Sequence, residues 1–485
     1  MEGLKELSER WKRMPADEAQ EFYDREVFPR VLDEVVPRER AKMGLSGDEA
    51  GYEVMVLPLG TSPEPLIISL AVWRPRRVLL LPTAQSRPLV ERVRREAGLS
   101  EEQVDVREVL PNDPLPLYTE IRNAYQRWGR PDRGAVDITG GTKVMAAGSG
   151  MAASALKFDV VYVWGKERYL EQYRHPEPGT EKVMRIENPL SVLGDLDFQA
   201  ACAMAERHDY GGARCIMDEL ARKVPGEGAL VYGIWARLGR AYEAWDLLQV
   251  GRAAQELEAL EAGLDQHWRL PYLARLTSRR EQLRAQRAAV VLLAQRLPVQ
   301  AAALPVADLA DAQLMCAVIG TLYQAALRRE AAGRLDMAAL LWYRLLEVLE
   351  QSRLAALGLD TAKPDYAALA KQLGRTLEDL LAAYNVQRQG MDLSPMEALP
   401  DPVDLVAGYL LLAAVGQPLV LRLNSLREQT SQRNFSIYAH GYSFVSEKNL
   451  RTFRSLAEEV LGRYLTAVGI EAARLEELAF VPWGD

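Results

Sequence analysis

Between Gly134 and Leu156 the chain runs as a short apolar strand, Gly134-Ala-Val-Asp-Ile138, and breaks at Thr139-Gly140-Gly141 into an Ala- and Met-rich helix, Thr142 to Leu156. A strand that passes straight into a helix confines the segment to a layered α/β fold, with the helix laid on a sheet. Two glycines at the junction permit close backbone approach. The first helical turn then presents free N–H groups and the positive end of the helix dipole, which suits an anionic ligand. Thr139, Thr142 and Lys143 can add contacts. The string has neither the G-x-x-x-x-G-K-[ST] spacing of a P-loop nor the G-x-G-x-x-G of a dinucleotide fold, which argues against hydrolysis of a bound triphosphate. From the residues alone it reads equally as a phosphate cradle and as a tight turn whose glycines serve packing.

The flanking sequence repeats the pattern. Residues 1 to about 50 have helical spacing. Strands are predicted at Tyr52–Leu59, Arg77–Pro82, Val104–Val109 and Phe158–Trp164, and helices at Leu66–Val72, Pro88–Glu96 and Tyr118–Trp128. This alternation predicts a mostly parallel, doubly wound sheet that binds ligands at the carboxyl ends of its strands. Three small polar loops converge there. They supply Gly60, Thr61 and Ser62; Thr83, Gln85 and Ser86; and Thr139, Gly140, Gly141, Thr142 and Lys143.

After Asn188-Pro-Leu the strand-like runs stop. Amphipathic Ala/Leu/Arg segments occupy Asp195 to about Gln295, among them Phe198–Lys223 and Leu230–Leu260, without a fixed repeat period. A Pro-containing break from Leu297 to Val306 leads to further helices, roughly Ala307–Glu330, Asp336–Leu357, Tyr366–Ala383 and Pro402–Val415. The predicted organisation is an α/β domain at 1–190, a helical connector at 191–305 and an all-helical domain at 306–485. A chain of 485 residues is long enough for several cores.

No apolar run is long enough for a bilayer, and the start Met1-Glu-Gly-Leu-Lys-Glu carries no signal pattern, so no membrane association and a cytoplasmic location are expected. Three scattered cysteines and four histidines without H-E-x-x-H offer neither a disulfide framework nor a zinc site, so no metal is expected. A net charge of -8 argues against non-specific coating of nucleic acid. Near the C-terminus the most basic window is Leu421 to Ser455, which holds Arg422, Arg427, Arg433, Lys448, Arg451 and Arg454 against Glu428 and Glu447.

Within that window lies Arg433-Asn-Phe-Ser-Ile-Tyr-Ala-His440-Gly441. It fits R-x(4-6)-H and resembles the signature of HEPN ribonucleases, including the Arg-Asn opening and the Ala-His-Gly close. A second match, Arg168 to His175, sits in a charged, Pro-flanked stretch after a strand and is set aside. The strand–glycine–helix segment, D-x-T-G-G-T-K-x-M at Asp137 to Met145, is similar to the hallmark of CARF domains, sensors of cyclic oligoadenylates. Together, in this order, the two resemble the CARF–HEPN ribonucleases of type III CRISPR systems, the Csm and Csx kind.

That resemblance implies a homodimer. It implies that 1–190 senses a cyclic oligoadenylate through the three loops and that 306–485 cleaves single-stranded RNA without metal or other cofactor, in antiviral defence. Arginine's forked donors suit a pentacovalent phosphate and histidine titrates near neutrality, so Arg433 is expected to stabilise the transition state and His440 to move a proton. Asn434 is expected to position them, and Asp137 to brace its turn. Some relatives also degrade their activator, and Thr61, Ser62, Thr142 and Lys143 have suitable groups for that. The alternative is a sensor without catalysis whose helical C-terminus binds a partner. A restriction-type DNA nuclease is disfavoured by the lack of any E-x-K triplet.

Overall fold

The computed structural model of the protein describes residues 3–166, 175–188, 192–297, 304–434 and 441–484. The chain divides into two compact units, Met1–Asp195 and Leu196–Asp485.

In the first unit the apolar runs form strands β1 (Val54–Leu59), β2 (Arg77–Pro82), β3 (Val104–Val106), β4 (Gly134–Asp137) and β5 (Asp159–Trp164). With β6 (Lys182–Ile186) they make one six-stranded sheet of order β3-β2-β1-β4-β5-β6. The first five strands run parallel, with Val56 opposite both Leu79 of β2 and Val136 of β4. β6 pairs antiparallel with β5 and makes the sheet mixed. It was not legible in the sequence because only Val183 of its five residues is buried, so no apolar alternation marks it.

β1 is buried along its whole length, as a central parallel strand covered on both faces should be. Its alternate side chains feed two cores. Met55 and Leu57 pack with helices α1 (Leu4–Trp11), α2 (Ala16–Phe22), α3 (Phe28–Lys42), α4 (Glu64–Trp73) and α5 (Val90–Glu96). Val54 and Val56 pack with α6 (Pro114–Arg127) and α7 (Lys143–Leu156), through Leu117, Ile121, Met145, Ala152 and Ala153. The period of two along the strand thus sorts the helices into two layers. From β1 the chain steps outward to β2 and β3 and then returns to β4 on the other side of β1. That reversal opens a crevice at the carboxyl ends of β1 and β4.

In the second unit every described element is helical. The stretch Phe198–Lys223 is two helices, Asp195–Glu206 and Tyr210–Lys223, with His208 between them at φ 63°. Leu230–Leu260 likewise contains a break, with Leu248 at φ 58° between helices Glu227–Asp246 and Val250–His267. Asp209 begins the helix after the first break, its carboxylate accepting from the Gly212 amide at 2.9 Å. Tyr366–Ala383 also divides, into Tyr366–Gln372 and Leu377–Gln389, because Thr376 starts a new helix with a capping box.

Buried polar contacts tie the earlier helices to the later ones. Asp246 accepts from Arg328 at 3.0 Å and from Arg329 at 2.7 Å, all three side chains being largely buried. The Arg328 guanidinium also lies 3.9 Å from the centroid of the Phe480 ring. Downstream, the Ala479 carbonyl accepts from Gln282 and Gln286, Val481 donates its amide hydrogen to the Tyr242 hydroxyl, and the Trp483 carbonyl accepts from Arg275. The backbone of residues 479–483 is thereby bonded to side chains of helices Glu227–Asp246, Ala274–Ser278 and Arg280–Arg296.

Asp246→Ala leaves two buried guanidinium groups without their shared carboxylate and should lower unfolding stability by about 3–5 kcal/mol. Glu459→Ala, which removes the exposed partner of Arg463, should change it by less than about 1 kcal/mol. Denaturant titration of both variants checks this, and equal losses would contradict the role given to Asp246.

Candidate functional site

The crevice between β1 and β4 is closed at its floor by glycine. A Cβ on Gly60 would stand 2.8 Å from the Gly141 amide nitrogen, and one on Gly140 only 2.3 Å from the Pro58 carbonyl oxygen. Gly141 has φ 82°, a left-handed conformation in which side chains are strained, and a Cβ there would meet Pro58 and Met145 at 3.1–3.2 Å. The loops after β1 and β4 are therefore in backbone contact.

Hydroxyl groups of the three loops lock this arrangement. The Thr139 amide donates to Asp137 Oδ1 at 2.7 Å, while the Thr139 hydroxyl accepts from the Val163 amide at 2.8 Å, joining the end of β4 to β5. Thr142 caps α7 by accepting from the Met145 amide at 3.2 Å, and its hydroxyl donates to the Pro111 carbonyl. Ser86 is fully buried; its hydroxyl donates to the Leu59 carbonyl at 2.6 Å and accepts from the Thr83 amide at 2.9 Å. Its side chain shapes the loop after β2 and does not line the crevice. Asp137 is also fully buried, and burial pushes its carboxyl group above the usual range against the hydrogen bonds that lower it. It braces the turn, as the sequence suggested.

Above this floor stand the exposed residues. Thr61, Ser62, Gln85, Gly141, Thr142 and Lys143 are exposed, while Gly60, Thr83 and Thr139 are half-buried and Gly140 is buried. The orphan amides of the first turn of α7, at Lys143 and Val144, belong to the same rim. The arrangement can receive a polar, anionic ligand through backbone donors, small hydroxyls and one ammonium group. Pro111 was missed as part of it; the Asn112-Asp113-Pro114 turn that opens α6 is the signal that places this loop next to α7.

In the second unit, helix Leu423–Asn434 packs Leu426, Gln429 and Thr430 inward. Arg433 and Asn434 lie on its last turn, their side chains outside the described residues. His440 and the interval 435–440 are also outside them. On the far side of that interval the chain is fixed again: the Val445 amide donates to Asp336 Oδ1 at 3.2 Å, and Ser446 caps helix Glu447–Val468. His175, of the discarded second match, stacks on Tyr23 with centroids 4.5 Å apart and lies 3.1 Å from the Gln20 side-chain oxygen, a packing role. Among the described residues no group of three or more His, Cys, Asp or Glu could hold a metal ion, and no helix is long and apolar enough to cross a membrane.

Residues 309–463 match the family model described as the Csm6 HEPN domain, and residues 193–290 match that of the Csm6 6H domain. A curated relative, the CRISPR system endoribonuclease Csm6 of Thermus thermophilus, is 28% identical over 475 residues, covering 95% of this chain and 96% of the relative. The chain is a Csm6 homologue. It is accordingly a CRISPR-associated endoribonuclease. The HEPN match falls within the second unit and includes the Arg433 to His440 stretch, and the 6H match begins three residues before that unit. Among solved structures, Enterococcus italicus Csm6 bound to cyclic hexa-2'-fluoro-hexa-dAMP superposes with a TM-score of 0.46 at 14% identity, over 88% of this chain and 97% of that one. Can2 from Sulfobacillus thermosulfidooxidans, in complex with cyclic tetra-adenylate, gives 0.22 at 18% identity over 41% of this chain and 50% of that one.

The close backbone contact makes a direct prediction. Gly140→Ala should cost the first unit at least about 2 kcal/mol, since its Cβ meets the Pro58 backbone oxygen, which cannot turn aside, as well as the Leu66 side chain. Gly150→Ala, in the same α7 but facing open space, should instead stabilise by about 0.5–1 kcal/mol. Thermal unfolding of the two variants checks the contrast, and a harmless Gly140→Ala would contradict the closed floor.

Proposed function

We propose that this protein is a homodimeric, metal-independent endoribonuclease for single-stranded RNA, switched on by a cyclic oligoadenylate bound at the β1/β4 crevice. The observation that carries the reading is the Arg433/His440 pair within the stretch matched by the Csm6 HEPN domain. The division of labour is a sensor at 1–190, a connector at 191–305 and a ribonuclease at 306–485.

The ligand assignment for the crevice is supported by its chemistry. Amides at the start of α7, the glycine-lined floor and the exposed Thr61, Ser62, Gln85, Thr142 and Lys143 suit phosphates and nucleobase edges. A ring of identical nucleotides presents equivalent groups about a twofold axis, so two copies of one crevice fit it. Activation then requires that the ring bind more tightly to the dimer geometry in which the ribonuclease centre is competent.

At that centre the RNA supplies its own nucleophile. The 2'-oxygen attacks the adjacent phosphorus, the bond to the 5'-oxygen breaks, and a 2',3'-cyclic phosphate and a 5'-hydroxyl result. The proton lost by the 2'-hydroxyl is matched by the one gained by the leaving oxygen. Arg433 stabilises the charge on the pentacovalent phosphate, His440 moves a proton, and Asn434 positions them.

Arg433→Ala and His440→Ala should each lower kcat for RNA cleavage by at least about a hundredfold in the presence of activator, with ring binding intact. Gel-resolved cleavage with end-group analysis measures this. Full cleavage by His440→Ala, or products bearing 5'-phosphate, would overturn the assignment.

A further inference from the structure

The stretch from Arg433 to His440 is bounded on both sides by one support, helix Leu335–Ala355. On the entry side, helix Leu423–Asn434, whose last turn includes Arg433, packs against Leu335–Ala355 and against helix Leu405–Ala414. On the exit side the chain meets the same support again. The Val445 amide donates at 3.2 Å to Oδ1 of Asp336, an acid in the first turn of Leu335–Ala355. The Val445 side chain packs on the core of the second unit, and helix Glu447–Val468, begun by the Ser446 cap, lies against Leu335–Ala355. Val445 comes five residues after His440, so its Cα lies within about 18 Å of that residue's.

Asp336 does not serve its own helix as a cap would. A capping side chain stands before the first helical residue and accepts from amides of the first turn, whereas Asp336 is the second residue of its helix and is half-buried. Its bond spans 109 residues of chain. An acid in a first turn also gains from the helix dipole, but that gain needs no partner at Val445. What the bond adds is a fixed exit for the stretch that carries His440. Fixity matters at such a centre, because misplacing a reacting group by about 1 Å costs on the order of a hundredfold in rate.

We propose that Asp336 is a positioning residue for RNA cleavage, holding Val445 and thereby setting the far end of the His440 segment relative to Arg433. The inference rests on the ribonuclease reading above. In this role Asp336 touches neither RNA nor the reacting atoms, so its loss acts on kcat and leaves RNA binding in place.

The test uses the full-length protein with its activating ring and a fluorescent oligoribonucleotide. Asp336→Ala should lower kcat at least about tenfold, with KM within about twofold of the parent. Asp336→Asn, whose side-chain oxygen accepts the same bond, should recover to within about threefold. Asp365→Ala, which removes a comparable carboxylate-to-amide bond at the start of helix Tyr366–Gln372, should leave kcat unchanged. Val445→Pro deletes the donor, so its loss and that of Asp336→Ala should not add in the double variant. Wild-type kcat in Asp336→Ala, no recovery in Asp336→Asn, additive losses, or a loss that only follows the fraction unfolded would each overturn the positioning role. Full cleavage by His440→Ala marks instead the failure of the ribonuclease reading and takes this inference with it; loss by His440→Ala beside wild-type kcat in Asp336→Ala sinks the positioning role alone.

Discussion

The first unit depends on one close approach, the backbone of Gly60 against that of Gly141, with Gly140 wedged over the Pro58 carbonyl. Side chains at these positions would push the loops after β1 and β4 apart and spoil the point where the strand order reverses. The hydroxyls around them are used internally: Thr139 ties β4 to β5, Ser86 ties the loop after β2 to the end of β1, and Thr142 starts α7. A rigid floor of glycine and bonded hydroxyl thereby presents a rim of exposed groups and free amides. Under the proposed reading such a rim has little to reorganise, so most of its interaction with a ring would be available to bias a conformational equilibrium.

The second unit shows a different economy of forces. Its helices bury large apolar cores, but the contacts between its earlier and later helices include an Asp246–Arg328–Arg329 cluster and a series of backbone acceptors filled by glutamine and arginine. Burying charges is costly unless each is paired, so the cluster fixes one docking geometry more than it adds stability.

Much of the first unit was legible because its chemistry is local. Strand β2 is found at Arg77–Pro82 as its apolar run predicts, and the glycine junction lies at the strand-order reversal where its loop chemistry belongs. β6 was illegible because an edge strand with a single buried residue has no periodic signature. Ser86 read as a ligand contact because a serine in a polar loop looks the same whether its hydroxyl faces solvent or the Leu59 carbonyl. The helix breaks at His208 and Leu248 escaped notice because non-glycine residues in the left-handed region carry no compositional mark. The Arg433 to His440 stretch, singled out by its spacing and flanking residues, lies within the region matched by the Csm6 HEPN domain, while its own geometry falls outside the described residues.

The central proposal is that a ring bound at the glycine crevice controls RNA cleavage at the Arg433/His440 pair, without metal. It is tested most directly by measuring cleavage of single-stranded RNA by the full-length protein in chelator, with cyclic tetra-adenylate, with cyclic hexa-adenylate and with no ring. The account predicts strong cleavage with one ring and little without any, and loss of that response in Gly60→Leu, whose side chain cannot fit against Gly141. Equal cleavage in all three conditions, or none until a divalent metal is restored, would contradict it.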